Sequence, residues 1–139
     1  LHTRPAGLVA TREPLQFGAE IFGHAGLEAD LEAAELALDC ITAAAVGPLT
    51  IDYADARVLR GVLAGVVLDE SRLHEIARAL ASKDSAALVA LTDGVPADSR
   101  AALRALPRLF GGDEVLAAAR EQLPARPLVR EALDQLQWL

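Results

Sequence analysis

The sequence predicts an α+β, helix-rich fold. Three observations carry this: a period-2 apolar pattern over Leu15 to Phe22, a helical stripe from Leu27 to Ala45, and short helical patterns separated by Gly, Pro, Asp and Ser after Tyr53. In the first segment Leu15, Phe17, Ala19 and Ile21 fall on one face, as in a half-buried strand, and Gln16 and Glu20 on the other. Leu8-Val9-Ala10 is a candidate first arm of a hairpin whose second arm begins after Pro14, and Gly23-His24-Ala25-Gly26 breaks it. In the helix, Leu27, Leu31, Ala34, Leu38 and Ile41 recur at helical spacing. Glu28, Asp30, Glu32, Glu35 and Asp39 are charged, with acids in the first turns as the helix dipole prefers. Gly47-Pro48 ends this helix, and Leu49 to Tyr53 reads as a second short strand.

Beyond Tyr53 the strand signals stop. Ala54 to Leu68 reads as one apolar helical stretch with Arg57 and Arg60 on its wet side, and Asp69 or Ser71 can cap a helix running to about Ala81. Ser82-Lys83-Asp84-Ser85 opens a helix that ends at Thr92-Asp93-Gly94, and Pro96-Ala97-Asp98 opens another that ends at Pro107. Gly111-Gly112-Asp113 precedes a helix over Glu114 to Gln122, and Pro124 to Pro127 leads into the last, Leu128 to Leu139. Helices this short are not stable alone and must pack as a cluster. No repeat of fixed period links them.

A chain of 139 residues that is 53% hydrophobic can bury a core. A formal charge of -7 argues against nucleic acid as partner, because phosphate binding requires clustered cations. No apolar run reaches the roughly 18 to 20 residues that span a membrane. The single cysteine, Cys40, supports neither a disulfide framework nor a Cys-rich metal site, which suits a reducing cytoplasm. The chain starts without methionine or a signal-peptide pattern, and is read as an internal piece of a longer protein.

Enzyme signatures are missing from the sequence: there is no phosphate loop, no His-Glu-x-x-His pair and no Gly-x-Ser-x-Gly elbow. His74 sits on a helix among Arg72, Glu75 and Arg78 and reads as solvated, whereas His24, in a glycine-flanked turn, is more open to a role. The chemistry-bearing pattern is Gln16-x-Gly18-x-Glu20. Its ends are separated by about 13 Å on a strand, and the glycine between them removes a side chain, so a long amide and a long carboxylate can lean over the gap. That pair suits an amino acid's ammonium group, although a merely wet strand face gives the same pattern. Arg12 extends the face, to meet an anion or to pair with Glu20.

The run Arg12-Glu13-Pro14-Leu15-Gln16-Phe17-Gly18-Ala19-Glu20-Ile21-Phe22-Gly23, followed by Ala29-Asp30-Leu31-Glu32, resembles the class II histidyl-tRNA synthetases. There a strand with Gln-Phe-Gly-x-Glu closes the second class-defining motif and an Asp-x-Glu helix follows. The closer likeness is to that enzyme's non-catalytic relatives, the regulatory subunits of ATP phosphoribosyltransferase. It is carried by Leu1-His2-Thr3-Arg4-Pro5-Ala6-Gly7-Leu8, Thr11 to Gln16 and Glu20-Ile21-Phe22-Gly23-His24-Ala25-Gly26, with Lys83-Asp84 and Leu106-Pro107-Arg108-Leu109-Phe110-Gly111-Gly112 further on.

This resemblance implies part of a class II antiparallel sheet core with a helical insertion: 1–53 in the core, 54–123 the insertion, and 124–139 a helix returning to the core. It implies a cytoplasmic, non-catalytic subunit of a glycosyltransferase complex, without cofactor. That subunit would activate a short-form catalytic subunit in a hetero-oligomer, self-associate through the core, and mediate feedback inhibition by histidine, bound near Arg12, Gln16 and Glu20. Where the synthetases carry Phe-Arg-x-Glu for ATP, Leu1, His2 and Arg4 align here, so the charges that hold the nucleotide are reversed. The alternative is a piece of an active histidyl-tRNA synthetase. In either family the histidine-recognition loop falls past Leu139.

Overall fold

The computed structural model describes residues 16–24 and 26–139. It divides into two units, Leu1–Thr50 and Ile51–Leu139. All regular structure among the described residues is helical: α1 Leu27–Ala43, α2 Ala56–Val62, α3 Glu70–Ala81, α4 Ser85–Leu91, α5 Ala97–Ala105, a 3-10 turn Leu106–Arg108, α6 Glu114–Gln122 and α7 Pro127–Trp138.

The α+β expectation is therefore corrected. Residues 16–22 and 49–53 form no strand, and no sheet occurs among the described residues. Alternating apolar residues become a strand only when backbone N–H and C=O groups pair with a neighbouring segment, and neither stretch has such a partner among the described residues. Phe17 (77% exposed), Ile21, Leu49, Ile51 and Tyr53 consequently face solvent. The hairpin arm proposed at Leu8-Val9-Ala10 lies outside the described residues.

In the first unit α1 follows its sequence pattern. Leu27, Leu31, Ala34, Leu38 and Ile41 are half-buried along one stripe, though no residue of the helix is fully buried. The helix stops before Gly47. Ala45 takes the left-handed conformation (φ 53°), the Ala45 N–H donates to Thr42 O and the Val46 N–H to Ile41 O, which makes a Schellman ending built on alanine instead of glycine.

The second unit contains the core: Val62, Ile76, Ala79, Leu88, Val95, Ala102, Leu103, Ala119, Leu123, Val129 and Leu133. Three of its helices start on aspartates whose carboxylates accept backbone N–H groups: Asp55 from Arg57 on α2, Asp69 from Arg72 on α3, and Asp84 from Ala87 on α4. Pro127 sits in the first turn of α7, where its missing N–H is harmless.

Helix C-termini leave carbonyls unpaired, and here arginines from other helices take them. Arg126, just before α7, donates Nη1 to Gly61 O (2.9 Å), Val62 O (2.6 Å) and Ala64 O (3.1 Å) at the end of α2, and Nη2 to Ser99 Oγ (3.0 Å) and Asp98 Oδ2 (2.5 Å) on α5. Buried Ser99 in turn donates to Val62 O (2.7 Å). The end of α4 is closed the same way: Arg72 Nε donates to Leu91 O (2.9 Å), Arg104 Nη2 to Val89 O (3.0 Å) and Arg104 Nε to buried Thr92 Oγ1 (3.1 Å). Among the described residues no buried side-chain polar atom lacks a partner.

These contacts also explain why α2 is shorter than its apolar pattern. The helix stops at Val62, Gly65 (φ 79°) turns the chain, and residues 66–69 run on without helix. Gly61 lies against α7, where an added Cβ would come 2.6 Å from Val129 Cγ2 and 3.0 Å from its backbone N. Arg57, expected on a wet face, instead holds Asp55 through Nε (3.0 and 2.9 Å) and reaches Gln135 and Glu131 on α7.

Gly61→Ala is expected to destabilise the protein by about 1–3 kcal/mol, since backbone as well as side chain of α7 must shift. Arg126→Ala should cost about 2–3 kcal/mol, because it strips a charge-assisted cap from carbonyls at a packed helix end. Urea unfolding of each variant against the parent measures both. The carboxyl of Asp55 is held below its ordinary range chiefly by the Arg57 side chain, and that of Asp98 by the Ser99 N–H and then Arg126. Both groups ionise more readily in the folded state, so their stabilisation is complete above the ordinary value of 3.8 and is lost as pH falls through the lower folded values. The unfolding midpoint should therefore drop on acidification below about pH 4, and less steeply in Asp55→Asn/Asp98→Asn than in the parent.

Candidate functional site

The segment that carries the predicted ligand groups runs through residues 16–24 without helix or strand. Gln16 and Glu20 are both exposed, and neither makes a side-chain hydrogen bond or ion pair among the described residues. A Cβ placed on Gly18 would meet nothing within 4 Å, so the space beside this glycine is open. Arg12 lies outside the described residues. The structure thus places two of the three predicted site residues on one uncovered segment. Phe22 is 84% exposed beside them.

The turn after this segment is tied to the start of α1. His24 Nε2 lies 3.5 Å from Glu28 Oε2, and Gly26 leaves the space between them that a side chain at that position would occupy. The Glu28 carboxyl is held below its ordinary range first by its own backbone N–H and then by His24. Both side chains are more than half exposed, so the pair is screened and serves as a weak link between turn and helix.

No group of three or more His, Cys, Asp or Glu among the described residues can hold a metal ion. Cys40 is a free, half-buried thiol on α1. No helix among the described residues is long and apolar enough to cross a membrane.

A second feature appears only in three dimensions. The separate segments Lys83-Asp84 and 106–112 meet in the second unit, where Lys83 Nζ stands 3.6 Å from the centroid of the Phe110 ring. Leu80, Lys83, Leu106, Pro107, Leu109 and Phe110 line an open depression of about 180 Å³. Lys83 has a left-handed backbone (φ 53°) at the end of α3, where its N–H donates to Leu80 O and that of Asp84 to Ala79 O. Lysine at such a position costs about 1 kcal/mol relative to glycine. An exposed cation–π contact returns about 0.5–1 kcal/mol. The signal available in sequence was composition: Lys83 is the one lysine among the 13 basic residues.

A histidyl-tRNA synthetase family model matches residues 1–139. The chain belongs to this family. Along its whole length it is also similar to proteins named ATP phosphoribosyltransferase regulatory subunit. It is 55% identical to the one from Verminephrobacter eiseniae, 51% to that of Ralstonia nicotianae and 48% to that of Albidiferax ferrireducens, with 100% of this chain and 36% of each relative covered. The chain therefore spans little more than a third of the length of these curated relatives. No solved structure matches it. The likeness to the regulatory subunits, read above from short segments, thus extends over the full chain.

Proposed function

We propose that the full-length protein is a non-catalytic regulatory subunit of ATP phosphoribosyltransferase in the histidine biosynthetic pathway. It activates a short-form catalytic subunit and conveys feedback inhibition by histidine. The observation that carries this reading is the 48–55% identity, along the entire chain, to proteins bearing that name. A single cysteine and the absence of a membrane-crossing helix among the described residues suit a cytoplasmic protein. In this reading 1–53 belong to the ligand-binding part, 54–123 are a helical insertion, and 124–139 return the chain to the remainder of the protein.

Histidine binds at Arg12, Gln16 and Glu20. Glu20 accepts from the ligand's ammonium in a charge-assisted hydrogen bond, the Gln16 amide oxygen accepts from the same group, and Arg12 meets its carboxylate. Support comes from the exposure of Gln16 and Glu20, their lack of partners among the described residues, and the open space over Gly18. Inhibition further requires that histidine bind two states of the complex with different affinity, because equal binding shifts no equilibrium.

Adding purified full-length protein to a short-form catalytic subunit should raise its activity and render it sensitive to histidine. Turnover in ATP–pyrophosphate exchange would instead identify an active synthetase. In calorimetry on the full-length protein, Glu20→Ala should weaken histidine binding by about tenfold or more, as expected for removal of a charged hydrogen-bond partner. Unchanged affinity removes Glu20 from the site.

A further inference from the structure

We propose that the bond between Asp93 and Gly94 is a site of spontaneous covalent modification, where the aspartate closes to a succinimide and reopens as isoaspartate. The inference goes beyond the regulatory reading and does not depend on it.

In this reaction the Gly94 backbone nitrogen attacks Cγ of Asp93 and loses its proton, and the carboxyl hydroxyl departs with that proton as water. A five-membered imide results. Water then adds to one of the two imide carbonyls. Opening at the side-chain carbonyl restores aspartate. Opening at the main-chain carbonyl leaves the chain running through Cγ, one methylene longer, with the former main-chain carbonyl as a free carboxylate. Nothing is oxidised or reduced, and the water lost is regained.

The chain contains no asparagine, and Asp93-Gly94 is its single Asp-Gly pair. Both residues are exposed in the turn between α4 and α5. Asp93 Oδ1 accepts the Gly94 N–H at 3.1 Å, so the carboxyl is already folded onto the nitrogen with which it must react. That N–H has no other acceptor among the described residues, and attack therefore breaks no backbone hydrogen bond made by it. Glycine leaves the nitrogen unhindered: nothing lies within 4 Å of the place a Cβ would occupy, and φ is 75°, which glycine adopts freely.

The neighbouring cation favours the isoaspartyl product. Arg72 Nη2 donates to the main-chain oxygen of Asp93. This contact polarises the carbonyl at which hydrolysis gives isoaspartate, and the carboxylate formed there meets a guanidinium already in place. The two Asp-Ser pairs lack this arrangement. At Asp84 the carboxylate accepts from the Ala87 N–H, and the Ser85 N–H donates to Lys83 O (3.0 Å). At Asp98 the carboxylate is held by Arg126, and Ser99 is buried within α5.

Modification at this turn reaches the core. Thr92 and Val95, on either side of the pair, are buried, and Thr92 Oγ1 accepts from Arg104. An extra methylene lengthens a connection whose two ends are both packed.

The test keeps the full-length protein for weeks in mildly acidic buffer at physiological temperature. Isoaspartate is located by electron-transfer fragmentation of its peptides, and counted by methyl transfer from S-adenosylmethionine with an isoaspartate-specific methyltransferase. Isoaspartate should accumulate at Asp93 at least several-fold faster than at Asp84 or Asp98, and the modified fraction should melt below the fresh protein. Asp93→Glu keeps a carboxylate but would have to close a six-membered ring, and it should show neither change at this position. Accumulation at Asp93 no faster than at Asp84 and Asp98 overturns the proposal, as does accumulation only when the protein is unfolded in urea. A loss of thermal stability on ageing that Asp93→Glu shares in full overturns the link from this turn to the core.

Discussion

The guanidinium of Arg126 is the contact on which the helical unit depends. Helices of two or three turns have at least as many unpaired end groups as internal hydrogen bonds, so their ends must be closed from outside. Arg126 closes α2 by donating to its last two carbonyls and to that of Ala64 just past it, and with its other nitrogen it holds Ser99 and Asp98 at the start of α5. Because Arg126 is also the residue from which α7 departs, one side chain fixes the relative position of three helices. A lysine could not do this: only the planar, five-donor guanidinium reaches so many acceptors in a fixed fork.

The remaining packing follows from that arrangement. With the end of α2 held beside the start of α7, Gly61 lets the two backbones approach until a methyl group would no longer fit, and Arg57 reaches across to α7 from the other end of α2. The α3 and α4 pair is tied by the same chemistry through Arg72 and Arg104. The core of Ile76, Leu88, Leu103 and Val129 fills the space these clamps enclose. Burial of such side chains contributes about 1.5–3 kcal/mol each, which short helices lacking intrinsic stability require.

The two units differ in how far they are closed. The second has a closed core, and its buried side-chain polar atoms all have partners. In the first, the segment bearing Gln16 and Glu20 is uncovered, and α1 has no fully buried residue. Ligand pockets usually bury most of their ligand, so under the proposed function two polar groups on an open segment would form only part of a site.

By itself the sequence determined what is local. The α1 stripe, the helix starts at Asp69 and Asp84, and the breaks near Gly94 and Pro127 all rest on residues within a turn of one another, and they appear where the pattern puts them. The family was legible too, because the short segments that carry it stand in the sequence regardless of how the chain folds. Tertiary structure decided whatever depends on distant partners. Residues 16–22 and 49–53 formed no strand, since a strand exists only in a ladder with another segment. The apolar run from Gly61 did not continue as helix, because its carbonyls are taken by an arginine 65 residues away. Lys83 and Phe110 became one surface feature only once α3 and the 3-10 turn packed together. The Gln16 and Glu20 pair lies between these cases: its residue types and spacing are local, but whether they close around a ligand depends on groups that local pattern does not specify.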